Sequence, residues 1–273
     1  MSRLLWRAHR GTLGRIQLPD QGSAMSTRLL SPPITPPAQA VEVLRQQAYA
    51  ALSPAGVAEL AGCSLADLNA LQPSWADLPP DEYLKDGGRY RRRRHSCFVL
   101  QGTSLSQVPH RPHWQPVEYN ALHGGMERWF APMLAETVAQ PAWSQLLLGL
   151  GQICTALKGK TADPAPWYVE AHQFRIDTTD GIGRPTPEGA HRDGVDFVAV
   201  LLVGRAGIKG GETRVFEADG PSGQRFTMTE PWTMLLLDDA RVVHESTPIQ
   251  PTDEGGYRDT LVLTFRVAKF QSS

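Results

Sequence analysis

Cysteine is scarce in this chain: Cys63, Cys97 and Cys154 are the only three, and no two form a CxxC pair. An odd number at wide spacing excludes a disulfide framework and a cysteine-rich zinc site, and predicts a reduced, cytoplasmic protein. Long apolar runs are missing as well. The longest, Phe197 to Val203, spans 7 residues, against the roughly 20 that a membrane-crossing helix needs. The N-terminal stretch has no apolar segment ending at a small-residue cleavage site, so no secretory signal is expected. Charge of one sign is not in excess either. Lys+Arg 27 against Asp+Glu 28 leaves a net charge of -1, which provides no overall field to draw in nucleic acid or an anionic membrane. Neither an internal repeat nor a heptad pattern is present.

What is there suffices for a sizeable core: 41% of the 273 residues are hydrophobic. Residues 1–37 differ from the rest. They carry Arg3, Arg7, Arg10 and Arg15 and a Pro-rich stretch from Ser31 to Pro37, and read as a loosely ordered leader with Met25 as a second candidate start. Residues 38–273 read as one domain, with 38–160 mainly helical support and 161–273 the core that carries the site. Helix spacing runs through Val41, Leu44 and Ala48–Leu52. Ser53-Pro54 and Ser64-Leu65-Ala66-Asp67 mark capped helix starts. Further helices are expected over Gly125–Ala139 and Pro141–Leu157, and a strand over Arg89–Gln101. After Pro166 strands dominate: Trp167–Ile176, Val195–Val203, Thr213–Glu217, Trp232–Leu237, Arg241–Glu245 and Thr260–Ala268. Helices followed by strands predict an α+β fold, with the helices packed on a β-sandwich or barrel.

The chemistry concentrates in Gly189-Ala190-His191-Arg192-Asp193-Gly194. On a strand His191 and Asp193 share a face, so an imidazole and a carboxylate can grip one ion from one side. An HxD triplet alone is weak. A second imidazole, His244, stands in another predicted strand, and two His with one carboxylate leave open positions in the manner of non-haem Fe(II) oxygenases. Zinc uses similar ligands. Downstream, Arg258 opens a strand on which Arg258, Thr260, Val262, Thr264 and Arg266 share a face, and an arginine fork clamps carboxylates. Arg258 is the nearer candidate clamp and Arg266 the second.

His191-Arg192-Asp193, His244 and Arg258 resemble the HxD…H…R signature of the Fe(II)/2-oxoglutarate-dependent dioxygenases. More narrowly, His172–Ile176, Pro187–Phe197, Gly210–Thr213 and Arg258–Arg266 resemble the bacterial group that includes L-isoleucine dioxygenase and the BsmA-type biofilm and stress proteins. The resemblance runs from Arg89 to Phe270. It implies a double-stranded β-helix (jelly-roll, cupin-like) core with buttressing helices. It also implies Fe(II) on His191, Asp193 and His244, 2-oxoglutarate on Arg258, O2 as cosubstrate, and hydroxylation of a small substrate, a free aliphatic L-amino acid, with release of succinate and CO2.

Other residues invite readings of their own. Gln173 and Arg175 share a face and are candidates for substrate binding, Arg175 through a carboxylate, while His172 on the opposite face reads as packed. Asp238 and Asp239 read as turn residues, although either can orient a ligand, and Gly210-Gly211 reads as a turn. Tyr119–Gly125 can reach a pocket mouth, with His123 structural. The run Arg89-Tyr90-Arg91-Arg92-Arg93-Arg94-His95 suggests nucleic acid and thereby a demethylase. Alternate residues of a strand face opposite sides, however, which favours a solvated face or carboxylate recognition. A regulatory protein that keeps the metal site without turnover is the other alternative. Partners are therefore expected to be small molecules, with no membrane.

Overall fold

The computed structural model describes residues 29–120, 122, 124–159 and 165–272. Helix α1 (Ala40–Gln47) stops at Ala48, whose φ of 66° breaks the helical path, and the chain continues as strand β1 (Tyr49–Leu52). The Ala48–Leu52 run was expected to be helical. Ala50, Ala51 and Leu52 are fully buried within a sheet, and that packing overrides the helix preference of alanine. Ser53 accepts a hydrogen bond from the Gly56 N–H at 3.1 Å and Pro54 occupies the first turn of α2 (Pro54–Ala61). Ser64 and Asp67 form the expected reciprocal capping box of α3 (Leu65–Asn69). Of the helix expected over 125–139, only α4 (Ala135–Val138) forms. The residues before it instead fold back, with His113 and Arg128 exchanging two backbone hydrogen bonds of 2.9 Å. Helix α5 (Pro141–Lys158) starts at a proline as expected. A Cβ on its Gly149 would lie 2.3 Å from the Leu60 carbonyl oxygen, so only glycine lets α5 seat against α2.

Eleven further strands complete the chain: β2 (Arg91–Gln101), β3 (Ser104–Gln107), β4 (Trp167–Asp177), β5 (Phe197–Ala206), β6 (Ile208–Gly210), β7 (Thr213–Glu217), β8 (Gly223–Phe226), β9 (Met234–Asp238), β10 (Val242–Ser246), β11 (Ile249–Pro251) and β12 (Tyr257–Val267). Seven strands form the major sheet in the order β1-β9-β5-β12-β4-β2-β3, and β10-β7-β8 and β11-β6 form two small ones. All their pairings are antiparallel. The architecture is an α+β double-stranded β-helix, as expected. Strands β1 and β2 draw part of the helical half into the major sheet. Ile34 bridges Ala51 alongside β1, so the end of the expected leader is held against the sheet; residues 1–28 lie outside the described ones. Among the described residues no helix is long and apolar enough to cross a membrane.

Alternation along the major sheet assigns each residue to one of two layers. Val169 and Ala171 of β4 and Leu261, Leu263 and Phe265 of β12 face the helices, where they meet Trp75, Trp143 and Leu146 in the main core. Trp75 also donates its indole N–H to the Thr260 carbonyl at 3.1 Å, tying the helical layer to β12. On the opposite face Val198, Leu202, Leu235 and Leu237 pack against Val215, Phe226 and Val242 of the three-stranded sheet. Beside this second core the two sheets part, leaving a cavity of about 120 Å³.

Candidate metal centre

His244 stands in the middle of β10, and its backbone exchanges two hydrogen bonds with His191, of 3.1 Å and 2.9 Å. This bridge sets the two imidazoles side by side, ring centroids 4.7 Å apart. Asp193 lies in a loop, not on the strand that the HxD spacing suggested. The buried Asp239 shapes that loop: its carboxylate accepts hydrogen bonds from the backbone N–H groups of Asp193, Gly194 and Val195 at 3.0, 2.8 and 3.0 Å. Burial, reinforced by the nearby Asp193 charge, pushes Asp239 up to about 6. Asp239 is thus a positioning residue where a plain turn was favoured. Gly194 has φ of +74°, and a Cβ there would lie 2.4 Å from the Tyr119 ring, so the loop also requires glycine.

Asp193 meets the Nε2 of His191 at 3.9 Å and the Nε2 of His244 at 4.0 Å. Two donors on one ion with bonds of roughly 2 Å can stand up to about 4 Å apart. His191 Nδ1 lies 3.0 Å from the Gly189 carbonyl oxygen, which can only accept, so Nδ1 carries a proton. Burial opposes a charged ring, but Asp193 and Glu188 raise His191, and a metal would take the place of any proton on Nε2. Burial, with His191 beside it, lowers His244 to about 4, leaving it neutral as a ligand must be. Gln115 donates to Asp193 Oδ1 at 3.0 Å, and its own oxygen accepts from Asn120 and Arg128 at 3.2 and 3.0 Å, which fixes the amide's orientation. Sequence reading missed Gln115, for an isolated glutamine carries no motif.

A second cluster, His95, His113, Glu170 and His172, also gathers ligand-type atoms within 4.8 Å. Its hydrogen bonds argue for a closed polar network. Glu170 accepts from His113 Nδ1 at 2.7 Å and from His95 Nε2 at 2.9 Å. Burial opposes the Glu170 charge, but these two imidazoles outweigh it and hold the carboxyl well below its usual range. Arg93 stands 2.6 Å from His172 Nδ1 and can only donate, so the His172 proton is on Nε2, the atom nearer Glu170. The atoms facing Glu170 therefore carry protons, and Arg93 adds positive charge. The His191–Asp193–His244 cluster is the better home for a dication.

Arg258 lines the same cavity. It is 3% exposed, and its Nε and one terminal nitrogen have no partner among the described residues. Burial, aided by Arg205 alongside it in register, lowers Arg258 to about 10. A buried guanidinium with free donors fits the carboxylate end of a ligand. Arg266 pairs in register with Tyr168 at the far end of β12 and does not line the cavity. The structure does not bring Gln173 and Arg175 to it either. Gln173 donates to Ser74 at 2.7 Å, and Arg175 forks onto Asp259 at 2.8 and 2.7 Å on the opposite face. The face of β4 that lines the cavity carries His172, Phe174 and Ile176. Arg175→Met should accordingly leave Asp259 uncompensated and cost roughly 2–4 kcal/mol of stability. Thermal unfolding checks this, and a selective rise in a substrate KM with unchanged stability would contradict it.

The arginine run divides by parity. Arg91 and Arg93 turn inward to the cavity and share Asp81 at 2.7 and 3.8 Å. Arg92 meets Asp177 at 3.4 Å, and Arg94 donates to backbone carbonyls of Pro132 and Asp77. Asn120, in the segment expected at the pocket mouth, lines the cavity; His123 lies outside the described residues.

Comparison with known proteins places this geometry. The model of the 2OG-Fe dioxygenase family matches residues 72–264. A crystal structure of a BsmA homologue from Methylobium petroleophilum is similar at 53% identity, with a TM-score of 0.83, covering 88% of this chain and 96% of that one. IDO from Bacillus thuringiensis shares the fold at 18% identity and a TM-score of 0.68, over 86% and 97% of the two chains. So does the Fe(II)/α-ketoglutarate-dependent dioxygenase TqaL, at 22% identity and 0.65, over 86% and 90%. No curated protein matches. With a family match over most of its length and a His/Asp/His cluster lining its cavity, the chain belongs to the 2OG-Fe dioxygenases, enzymes that use Fe(II), 2-oxoglutarate and O2.

Proposed function

We propose that the protein hydroxylates a free aliphatic L-amino acid, with Fe(II) held by His191, Asp193 and His244 and the distal carboxylate of 2-oxoglutarate on Arg258. The iron and the 2-oxo acid together supply the oxidising chemistry: decarboxylation to succinate and CO2 is coupled to insertion of one oxygen atom of O2 into a C–H bond. The chain's own part is to place the substrate and keep water out.

One observation carries the substrate class. The cavity beside the triad combines apolar surface from Phe174, Ile176, Val200 and Val262 with three buried arginines, Arg91, Arg93 and Arg128. Arg91, Arg93 and Arg128 each keep one buried nitrogen without a partner among the described residues. Burial lowers Arg93 and Arg128, the latter to about 10. Such a wall suits a carboxylate on an apolar body. The inward turn of Arg91 and Arg93 favours a small ligand over nucleic acid, and the free thiols of Cys63, Cys97 and Cys154 favour a reducing compartment, the cytoplasm.

The test is a panel of aliphatic amino acids scored for succinate and a hydroxylated product after anaerobic loading with Fe(II) and 2-oxoglutarate. Arg93→Met should raise the amino-acid KM by about 30-fold or more and leave the 2-oxoglutarate KM near its original value. Succinate formation that no amino acid stimulates would overturn the reading and favour a regulatory protein. An equal rise in both KM values would move Arg93 to the cosubstrate.

A further inference from the structure

An arginine wall alone selects any apolar carboxylic acid, and the amino group needs an acceptor. Glu170 and His113 supply one. Glu170, set behind the cavity wall, is ionised and accepts the Nδ1 proton of His113 at 2.7 Å. A neutral imidazole that gives its Nδ1 proton to a carboxylate carries its lone pair on Nε2. His113 is a cavity-lining residue, lowered by burial to about 4 despite Glu170, so the ring stays neutral and accepting. Next to it stands His172, edge-on with ring centroids 4.7 Å apart, and the other side of His172 is held by Arg93 at 2.6 Å. A cation donor and a backed acceptor therefore both adjoin His172 and both line the cavity, so one small ligand can meet the two.

We propose that His113, backed by Glu170, receives the substrate's α-amino group while Arg93, on the same wall of the cavity, receives its carboxylate. This rests on the amino-acid reading above and makes the enzyme selective for α-amino acids over the same skeletons without nitrogen. A rival acceptor is Glu188, which also lines the cavity. One of its oxygens is buried without a partner among the described residues, and the other stands 3.7 Å from His191 Nδ1.

The experiment compares kcat/KM and anaerobic binding for each amino acid the wild type turns over with the corresponding des-amino acid, for example L-leucine with 4-methylpentanoate. Wild type should prefer the amino acid on the order of 100-fold or more, because an analogue without the N–H groups leaves the acceptor unpaired. In His113→Phe the preference should fall to within about 5-fold, chiefly by loss on the amino acid, with 4-methylpentanoate turnover and 2-oxoglutarate affinity nearly unchanged. Glu170→Gln keeps one oxygen to accept the two hydrogen bonds, while removing the charge and turning the other oxygen into an NH2 donor; it should lose about 10-fold of the preference, and it serves if His113→Phe does not fold. An unchanged preference in these variants overturns the assignment, as does an equal loss on both compounds, which marks a structural role. A preference that collapses instead in Glu188→Gln moves the amino group to Glu188. A wild type that oxidises 4-methylpentanoate and no amino acid refutes the parent reading before any variant is made.

Discussion

His244→Ala is expected to lose iron and turnover together. The bridge between His191 and His244 is made by backbone atoms, so the alanine variant keeps the strand pairing and removes only the imidazole. Two remaining donors hold a labile dication poorly against water and leave its geometry undefined. A bound metal contributes several kcal/mol to such a reaction, so turnover should fall on the order of 1,000-fold or more. Iron per chain after desalting, measured beside succinate formation, checks this. A variant with one iron per chain and wild-type turnover would shift attention to the His95–His113–Glu170–His172 cluster.

Arg258→Met should produce the second large effect, confined to the cosubstrate. Methionine keeps the apolar stem and discards the charge and its donors. The distal carboxylate of 2-oxoglutarate would then be desolvated without a partner, a loss of about 2–5 kcal/mol, or on the order of 30- to several-thousand-fold in affinity. Iron should stay, since no ligand changes. Arg258→Lys should recover only part of the loss, because an ammonium cannot reproduce the fork. Titrating 2-oxoglutarate anaerobically into the Fe(II) protein and following the charge-transfer band reads the constant directly. The matching Arg266→Met variant should bind normally; a large loss there with none in Arg258→Met would exchange the two roles.

The metal cluster was legible because its logic is local. One residue separates His191 from Asp193, and β10 carries a plain strand pattern around His244. Strand parity put Arg258 and Arg266 on one face, and the shorter spacing from His244 favoured Arg258, the one of the two that lines the cavity. Parity also grouped Gln173 with Arg175 correctly, yet it says which residues share a face and not which face looks inward. The apolar Val169 and Ala171 on the same face were the available clue, since they mark the side packed on the helices. Gln115 was beyond reach, and Asp239 was only the less favoured of two readings, behind a turn. They act on the loop around Asp193 from 78 and 46 residues away, a distance in sequence that hides which loop each would hold. Ala48–Leu52 misled because alanines are good helix formers, and only the sheet partner decides otherwise.

The division of β4 and β12 into two faces has an evolutionary corollary. Phe174, Ile176 and Val262 border the cavity, whereas Val169, Ala171, Leu261 and Leu263 anchor the helical layer. Substitutions at the first set reshape the volume offered to a side chain without disturbing the anchors, and residues that share no partners contribute nearly independently. Descendants of this scaffold can therefore change the shape of the cavity by single steps that leave the anchoring layer in place. A one-residue insertion or deletion within either strand has less latitude, since it would exchange the two faces along the rest of that strand unless a bulge absorbed it, as the register shift of β12 against β5 does between Asp259 and Thr260.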